Sequence, residues 1–515
     1  MWKPSKEASF KSKILTWYGN NPNKYNFLIK CRDKWVSNAA YVSEELVQEF
    51  AEDMRKLVPI SSDQLNLSDL KLEPLTEEYI KEKFNKDIDL TVVRNSARTD
   101  TPLTTGSPAA LKSSTKRNAF AVATGGQILS IQWLPREGES EVSYFAVSIS
   151  NNPEGPGALN PEFSMFNKSK NPACSSAIQL WKYDFEKNEV SLENVLVTSD
   201  LGLGYSLKWA PIYTNGGGVL GVLMGVFTDG NVHVLKITES LPRYSKITQS
   251  SLLYSGKDGT KITAFDFIGA EKILVGTTDG AISEYMLPFD YEGGDLDVPN
   301  FKEIVCWGAI QHLLCTDDES GNRLCIVYTA AHRCLSFVYD NSLQDVYAVV
   351  PRSHIQPCYN YVMQNLIIIN LPDQSLMSSP RTNHYTGSAV AKTDFYYTAC
   401  KVSEVLGHPF FLSGGANGDI TVQNYMKKFM TSKAGATKAM PFRLWKFSAK
   451  PDGKFALISD IHVEPQEAPV PPAATRIGGV VTAVAWNENI IGSSTFAAGI
   501  AGGVLLIERL DPTYL

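Results

Sequence analysis

Thr278-Asp279-Gly280-Ala281-Ile282-Ser283-Glu284-Tyr285-Met286-Leu287 reads as a tight turn opening into a strand, and the same form recurs three more times. Thr228-Asp229-Gly230 leads into Asn231 to Ile237, Asn417-Gly418 into Asp419 to Tyr425, and Gly502-Gly503 into Val504 to Leu510. Each is preceded by an apolar strand, such as Gly221 to Phe227 or Ile273 to Gly276. In three of the four a further glycine (Gly276, Gly414, Gly499) stands four positions before the turn glycine. Asp-Gly, Asn-Gly and Gly-Gly between β-rich runs predict two-residue hairpin turns with φ > 0 at both central residues. One hairpin repeated through most of a chain is the mark of a repeat architecture.

A second recurring element says which one. Gly125-Gly126-Gln127-Ile128-Leu129-Ser130-Ile131-Gln132-Trp133 matches Gly478 to Trp486 in character, with Gly202 to Trp209 a third copy and Lys261 to Phe267 a looser fourth. A small or hydroxyl residue sits mid-strand, and an aromatic closes it. A strand crowded around a central axis has room for small side chains only, while the closing aromatic packs between neighbours. The pattern predicts an all-β chain folded as a seven-bladed β-propeller of the WD40 type. Its repeat markers are Trp133, Trp181, Trp209, Asp229, Gly230, Asp279, Gly280, Asn417, Gly418 and Trp486.

The blades fall at about 125–183, 201–237, 260–287, 308–340, 354–377, 389–425 and 478–510, with Arg443 to Phe447 an outer strand of the sixth. Only Leu366 to Leu371 reads as a strand in the fifth, and Arg117 to Ala123 is placed to close the ring. The propeller thus occupies 117–512, preceded by a partly helical or irregular arm, 1–116. In the arm, Glu44 to Leu57 behind Ser43 predicts a helix with Leu46, Phe50 and Met54 on one face, and Thr76 to Phe84 a shorter one. Ser96 to Ser114 reads as a linker. Asn151 to Ser176, Asp290 to Pro299 and Glu464 to Pro472 read as surface insertions, disordered or partner-binding.

At 515 residues, 43% hydrophobic and 20% charged, the chain has ordinary globular chemistry. No apolar run reaches the roughly 18–20 residues that cross a bilayer. Met1 to Ser12 lacks the apolar stretch of a secretory signal, so the eight scattered cysteines are expected as reduced thiols. No phosphate-binding loop, Gly-x-Ser-x-Gly elbow, His-Glu-x-x-His or Cys-x-x-Cys pair is present, and neither an enzyme activity nor a cofactor is expected. His312, Cys315, Cys325, His332 and Cys334 are read as buried thiols and ordinary histidines rather than a zinc site. Asp317-Asp318-Glu319 reads as a loop tip, and Ser130, Ser206 and Thr482 as structural hydroxyls.

Charge is uneven. The whole chain is at −6, yet up to Tyr41 eight basic residues face two acidic ones, a net +6. Trp2, Phe10, Trp17, Tyr18, Tyr25, Phe27 and Trp35 are interleaved with them. Lys11, Lys13, Trp17, Lys24, Lys30, Arg32, Lys34 and Trp35 are therefore candidates for phosphate contact with stacking, or for docking onto the propeller or a partner. The second reading is preferred, because exposed aromatics usually mean an interface. Lys112, Lys116 and Arg117 form a weak basic cluster suited to nuclear import.

The stretch 125–133, followed by Tyr144-Phe145-Ala146-Val147 and Ile178-Gln179-Leu180-Trp181, resembles the opening blade of the WD-repeat propeller subunits of transcription factor TFIIIC. These are the tau-ninety-one type of yeast and the one-hundred-and-ten-kilodalton type of metazoans. Val480 to Asn487 is similar to that family's last blade, and the resemblance spans about 117–512. It implies a nuclear, non-enzymatic scaffold of the tau-B module, which recognises the B-box promoter of tRNA genes for RNA polymerase III transcription. It further implies two partners, a second propeller subunit and the largest DNA-binding subunit, with DNA reached through the complex. Members often carry a longer basic N-terminal extension, and no repeat here ends in a clean Trp-Asp. A WD-repeat adaptor of another nuclear complex, such as a ubiquitin-ligase substrate receptor or a chromatin subunit, is the alternative; a propeller hydrolase is a third reading.

Overall fold

The computed structural model describes residues 11–511 apart from 13, 16–17, 19–21, 36–39, 95, 112–117, 153–174, 215, 258, 290, 292, 294, 318–322, 332, 339–346, 350–354, 372–373, 379–387, 427–440 and 460–473. Lys13, Trp17, Lys112, Lys116, Arg117, His332, Asp318 and Glu319, with most of the first and third insertions, lie outside the described residues.

The repeated turn is where the fold begins, and its geometry differs from the one predicted. Gly230, Gly280, Gly418 and Gly503 have φ of 90°, 82°, 85° and 87°, whereas Asp229, Asp279 and Asn417 are absent from the positive-φ residues. Each turn glycine instead donates its N–H to the carbonyl three residues back: Phe227, Thr277, Gly415 and Ile500, at 2.9, 3.2, 3.0 and 3.0 Å. The loop is a type I turn followed by one left-handed glycine, which preserves the strand twist as well as a two-residue turn does. Aspartate and asparagine serve by their side chains. Asp229, Asp279 and Asn417 accept from the backbone N–H two residues on, at 3.1, 3.3 and 3.0 Å.

Among the described residues the strands form eight sheets, seven of them built on four antiparallel strands. The first comprises Gln127–Trp133, Val142–Asn151, Ser175–Asp184 and Glu189–Val197. The second comprises Gly204–Trp209, Val219–Phe227, Asn231–Thr238 and Leu252–Ser255, and the third Ile262–Ile268, Lys272–Thr277, Ala281–Met286 and Phe301–Ile304. Ile310–Asp317, Arg323–Thr329, Cys334–Val338 and Tyr347–Val349 form the fourth. The fifth has four strands where one was expected: Cys358–Asn360, Asn365–Leu371, Gln374–Ser378 and Ser388–Lys392. Tyr397–Lys401, Phe410–Gly415, Asp419–Asn424, Phe442–Ala449 and Phe455–Ser459 make the sixth. The seventh unites both ends of the chain: Val481–Trp486, Thr495–Ile500 and Val504–Arg509 are completed by Ala119–Ala123, antiparallel to Val504–Glu508.

Each sheet touches the next, and the last touches the first. Trp209 Nε1 donates to Gln132 O (3.1 Å) between the first and second sheets, and Lys208 pairs with Asp266 (2.6 Å) between the second and third. Asp266 also accepts from Cys315 N (2.7 Å), joining the fourth. Tyr328 and Tyr359 share one core cluster across the fourth and fifth, and Cys358 Sγ lies 3.4 Å from Cys400 Sγ between the fifth and sixth. Thr398 Oγ1 donates to Val481 O (2.5 Å), and Thr482 Oγ1 to Ile128 O (2.6 Å), which returns to the first. Flanked on both sides, a strand buries both faces: all seven residues of Ile262–Ile268 are buried.

The arm is woven into these sheets rather than hung beside them. Ser96 to Ser114, expected as a linker, holds the strand Ala97–Leu103, which pairs with Ile88–Arg94; the latter runs parallel to Phe455–Ser459 at the sixth sheet's outer edge. Lys71–Pro74 pairs with Tyr244–Gln249, which runs parallel to Glu189–Val197 on the first sheet. Ser43 caps its helix as predicted, accepting from Leu46 N (3.3 Å), while Thr76, read as the first helical residue, is instead the cap and accepts from Tyr79 N (3.2 Å). The first helix is shorter than predicted: α-helix covers Glu44–Glu49, a 3-10 turn covers Ala51–Asp53, and Arg55 N then bonds Val405 O at 3.0 Å, drawing the chain into extended form. A helix not foreseen, Pro22–Trp35, buries Leu28, Cys31 and Trp35.

Candidate interaction surfaces

Six inner strands carry a bulge at the same place, opposite Leu129, Tyr205, Thr263, Gln311, Thr398 and Thr482. This register agrees with the alignment read from the sequence: Leu129, Tyr205 and Thr482 share the bulge position, and Ser130 and Ser206 stand one position later, level with Ala483. At three bulges a threonine joins two sheets. Thr482 bonds Ile128 O and Gly499 O (2.6 and 3.3 Å), Thr398 bonds Val481 O and Gly414 O (2.5 and 3.2 Å), and Thr263 bonds Ile310 O and Gly276 O. The acceptors on the threonine's own sheet are the recurrent glycines of the sequence. A Cβ on Gly276, Gly414 or Gly499 would come within 2.6, 2.3 or 2.5 Å of Ile310, Val481 or Ile128 on the adjacent sheet. Only glycine permits that approach.

The closing aromatics gather. Trp133, Trp209, Phe267 and Trp486, from the first, second, third and seventh sheets, line one cavity of about 70 Å³ with Lys208 and Asp266. Trp181 lies deeper, its ring nearly parallel to that of Phe145 at 6.4 Å, and Phe145 in turn meets Trp133 at a tilt of 39° and 4.4 Å. Trp486 meets His408 of the preceding sheet edge-on at 5.0 Å, so the expected packing between neighbours is seen at Trp209 and Trp486. At the cavity's rim Glu488 accepts from Ser403 Oγ and from the N–H groups of Glu404, Val405 and Leu406 (2.9, 2.8, 3.1 and 3.3 Å). Burial raises the Glu488 pKa, and these donors oppose the rise. The charges here tie turns and sheets together.

The arm turns Tyr18 and Trp35 inward, and most of its described cations pair within the chain. Lys24 Nζ donates to Val362 O (3.0 Å) beneath the Tyr18 and Phe27 rings, and burial lowers its pKa from 10.5 to about 8. Tyr18 is buried, with its hydroxyl on Met363 O (3.0 Å) and Asn365 Oδ1. Trp35 is buried against Phe50 and Phe410 (6.2 and 5.9 Å), and its carbonyl accepts from Asn424 Nδ2 at 2.8 Å. Lys30 pairs with Asp53 (3.7 Å) over the Phe50 ring, Arg32 with Asp33 (2.8 Å) and Lys34 with Glu49 (2.8 Å). Lys11 is exposed, 5.9 Å from the Tyr25 ring centre. What joins the described candidates is a docked helix whose aromatics fill a seam against the fifth and sixth sheets. Sequence reasoning missed Asn365 and Asn424, whose side chains meet the Tyr18 hydroxyl and the Trp35 carbonyl; their periodicity is that of ordinary strand residues.

The nearest approach among the described residues to a nucleophile–base–carboxylate set is Ser250, His233 and Asp229, with ring nitrogen contacts of 3.1 and 2.9 Å. All three belong to the second sheet's turn and the segment after Tyr244–Gln249. Ser250 and His233 are buried there, and they pin the turn to the chain beside it. Cys315 stands opposite Cys325 in the fourth sheet, with Cys334 on the next strand.

No protein-family model matches the chain. It is similar to the transcription factor tau subunit sfc6 of Schizosaccharomyces pombe, 22% identical over 429 residues. That alignment takes in 78% of this chain and 66% of the relative, so the chain spans just under two thirds of that protein's length. No helix among the described residues is long and apolar enough to cross a membrane.

Proposed function

We propose that this chain is a non-enzymatic scaffold subunit of a TFIIIC-type transcription factor, folded as a seven-bladed WD40-type propeller and working in the nucleus. In this reading it assembles the tau-B module with a second propeller subunit and the largest DNA-binding subunit. The assembled module reads the B-box of tRNA genes for RNA polymerase III. The similarity to a tau subunit over 429 residues is the observation that carries the reading. Two structural facts support it: seven sheets in cyclic contact offer a rigid platform, and the arm's cations are largely spent on internal partners.

The division of labour is testable. The purified chain should bind a tRNA-gene fragment weakly, without preference for the B-box and with a shallow salt dependence, and gain specificity only with its partners. Tight B-box-specific binding by the chain alone would reject the scaffold role. Purification of the tagged chain followed by mass spectrometry should recover polymerase III factors; ubiquitin-ligase or chromatin subunits in their place would assign it to another nuclear complex.

A further inference from the structure

The fifth and sixth sheets meet at two thiols. Cys358 opens the fifth sheet's first strand, Cys358–Asn360, and Cys400 lies in the sixth's, Tyr397–Lys401. Their sulfurs stand 3.4 Å apart, and both lie against one carbonyl, Gln356 O, at 4.0 and 3.6 Å. A cystine holds its sulfurs at about 2.05 Å, so closing the gap takes about 1.4 Å of movement. The two thiols differ in access. Cys358 is 3% exposed, whereas Cys400 is partly open to solvent. An oxidant thus reaches one of them while the other waits beside it, which is the arrangement of an attacked and a resolving thiol.

Their position gives a bond between them a consequence. Cys358 belongs to the core cluster that holds Leu28 and Trp35 of the docked helix, and Cys400 packs against that cluster. A covalent link here joins two separate sheets, the same two whose seam the helix fills. Cys315 and Cys325 also face each other, but on neighbouring strands of one sheet already joined through their backbones, where a bond adds no new connection. In a reducing compartment the 358–400 pair rests as thiols.

We propose that Cys358 and Cys400 form a redox-sensitive latch, which hydrogen peroxide closes as a cystine tying the fifth sheet to the sixth. The Cys400 thiolate attacks one peroxide oxygen, the O–O bond breaks, and the departing hydroxide takes up a proton, leaving a sulfenic acid. The Cys358 sulfur then attacks the Cys400 sulfur. The S–S bond forms, the S–O bond breaks, and the Cys358 proton leaves with the oxygen as water. Two thiols and one peroxide give one cystine and two waters, with two electrons passing from sulfur to oxygen. Two equivalents of a small thiol reopen the latch by exchange and leave as their own disulfide. The hydrogen bond with Cys358, and then burial, hold the Cys400 thiol well above its ordinary range. Its thiolate is therefore scarce at neutral pH, and closure quickens as pH rises. The latch is independent of the chain's place in a transcription factor.

The test treats the full chain with hydrogen peroxide at about pH 7 and about pH 8.5, alkylates the remaining thiols in denaturant and reads a non-reducing digest by mass spectrometry. The peptides bearing Cys358 and Cys400 should be found joined, sooner at the higher pH, and dithiothreitol should part them. Cys358→Ser should instead let Cys400 run on to the sulfinic acid, because no resolving thiol stands beside it. The link closes a loop between residues 42 apart, so oxidation should raise the melting midpoint of the wild type and leave that of Cys400→Ser where it was. Cys358 and Cys400 both free after oxidation, Cys400 as a sulfinic or sulfonic acid in the wild type, or a cystine joining any other pair in their place overturns the proposal. So does a wild-type midpoint that the link fails to raise.

Discussion

At Gly499 one methyl group decides whether two sheets can meet. Alanine there would push its Cβ to 2.5 Å from Ile128, and overpacking of this kind costs about 1–3 kcal/mol. Thr482→Val should cost about 1–3 kcal/mol as well, because it leaves two buried carbonyls short of a donor while Thr482→Ser keeps it. Urea unfolding midpoints of the three variants check both expectations. His408 makes the fold sensitive to acid. It is buried between Phe410 and Trp486, and desolvation lowers its pKa from 6.5 to about 3. The folded state keeps the ring neutral while the unfolded chain protonates it below pH 6.5. Its contribution is therefore complete above pH 6.5 and is lost as pH falls toward 3. Between pH 7 and 5 this one group should remove about 2 kcal/mol, and His408→Phe should lose that much less over the same interval. Denaturant melts at the two pH values, compared within each variant, measure it.

At the scale of elements, what could be read in the chain is what its own side chains specify. The four hairpins, the cap at Ser43 and the closing strand before Thr124 all announce themselves by turn residues, cap residues or apolar runs. Elements stabilised by something else do not. Ala97–Leu103 exposes its first four residues and shows no alternation, because the hydrogen bonds that hold it belong to Ile88–Arg94. Lys71–Pro74 is likewise a passenger on Tyr244–Gln249. The helix Pro22–Trp35 has no acidic residue in its first turn, and it owes its place to the aromatic seam it fills. Trp35 is the centre of that seam. Trp35→Ala should destabilise the docked helix by about 3–5 kcal/mol. Limited proteolysis should then cut within residues 22–35 well before the sheets are attacked; equal resistance in the wild type and the variant would mean the helix is held by other contacts.

Taken whole, the molecule is tied at its two ends. Arg509, in the last strand, grips Glu44 through Nε and Nη2 (3.0 and 2.7 Å), and Glu44 N donates to Asp511 Oδ2 at 2.8 Å. The pair is largely buried, so Arg509→Met should cost about 3–5 kcal/mol by stranding the carboxylate, and Glu44→Gln in the same chain should restore part of it. A double-mutant cycle by chemical denaturation reads the coupling. The proposed propeller rests on Ala119–Ala123, which pairs with Val504–Glu508 and would close the ring by joining the start of the sheet array to its end. Hydrogen exchange tests it most directly. The account predicts that amides of residues 119–123 exchange as slowly as those of their partners 504–508, both released only by global unfolding. Exchange of 119–123 within seconds, while 504–508 stay protected, would contradict it.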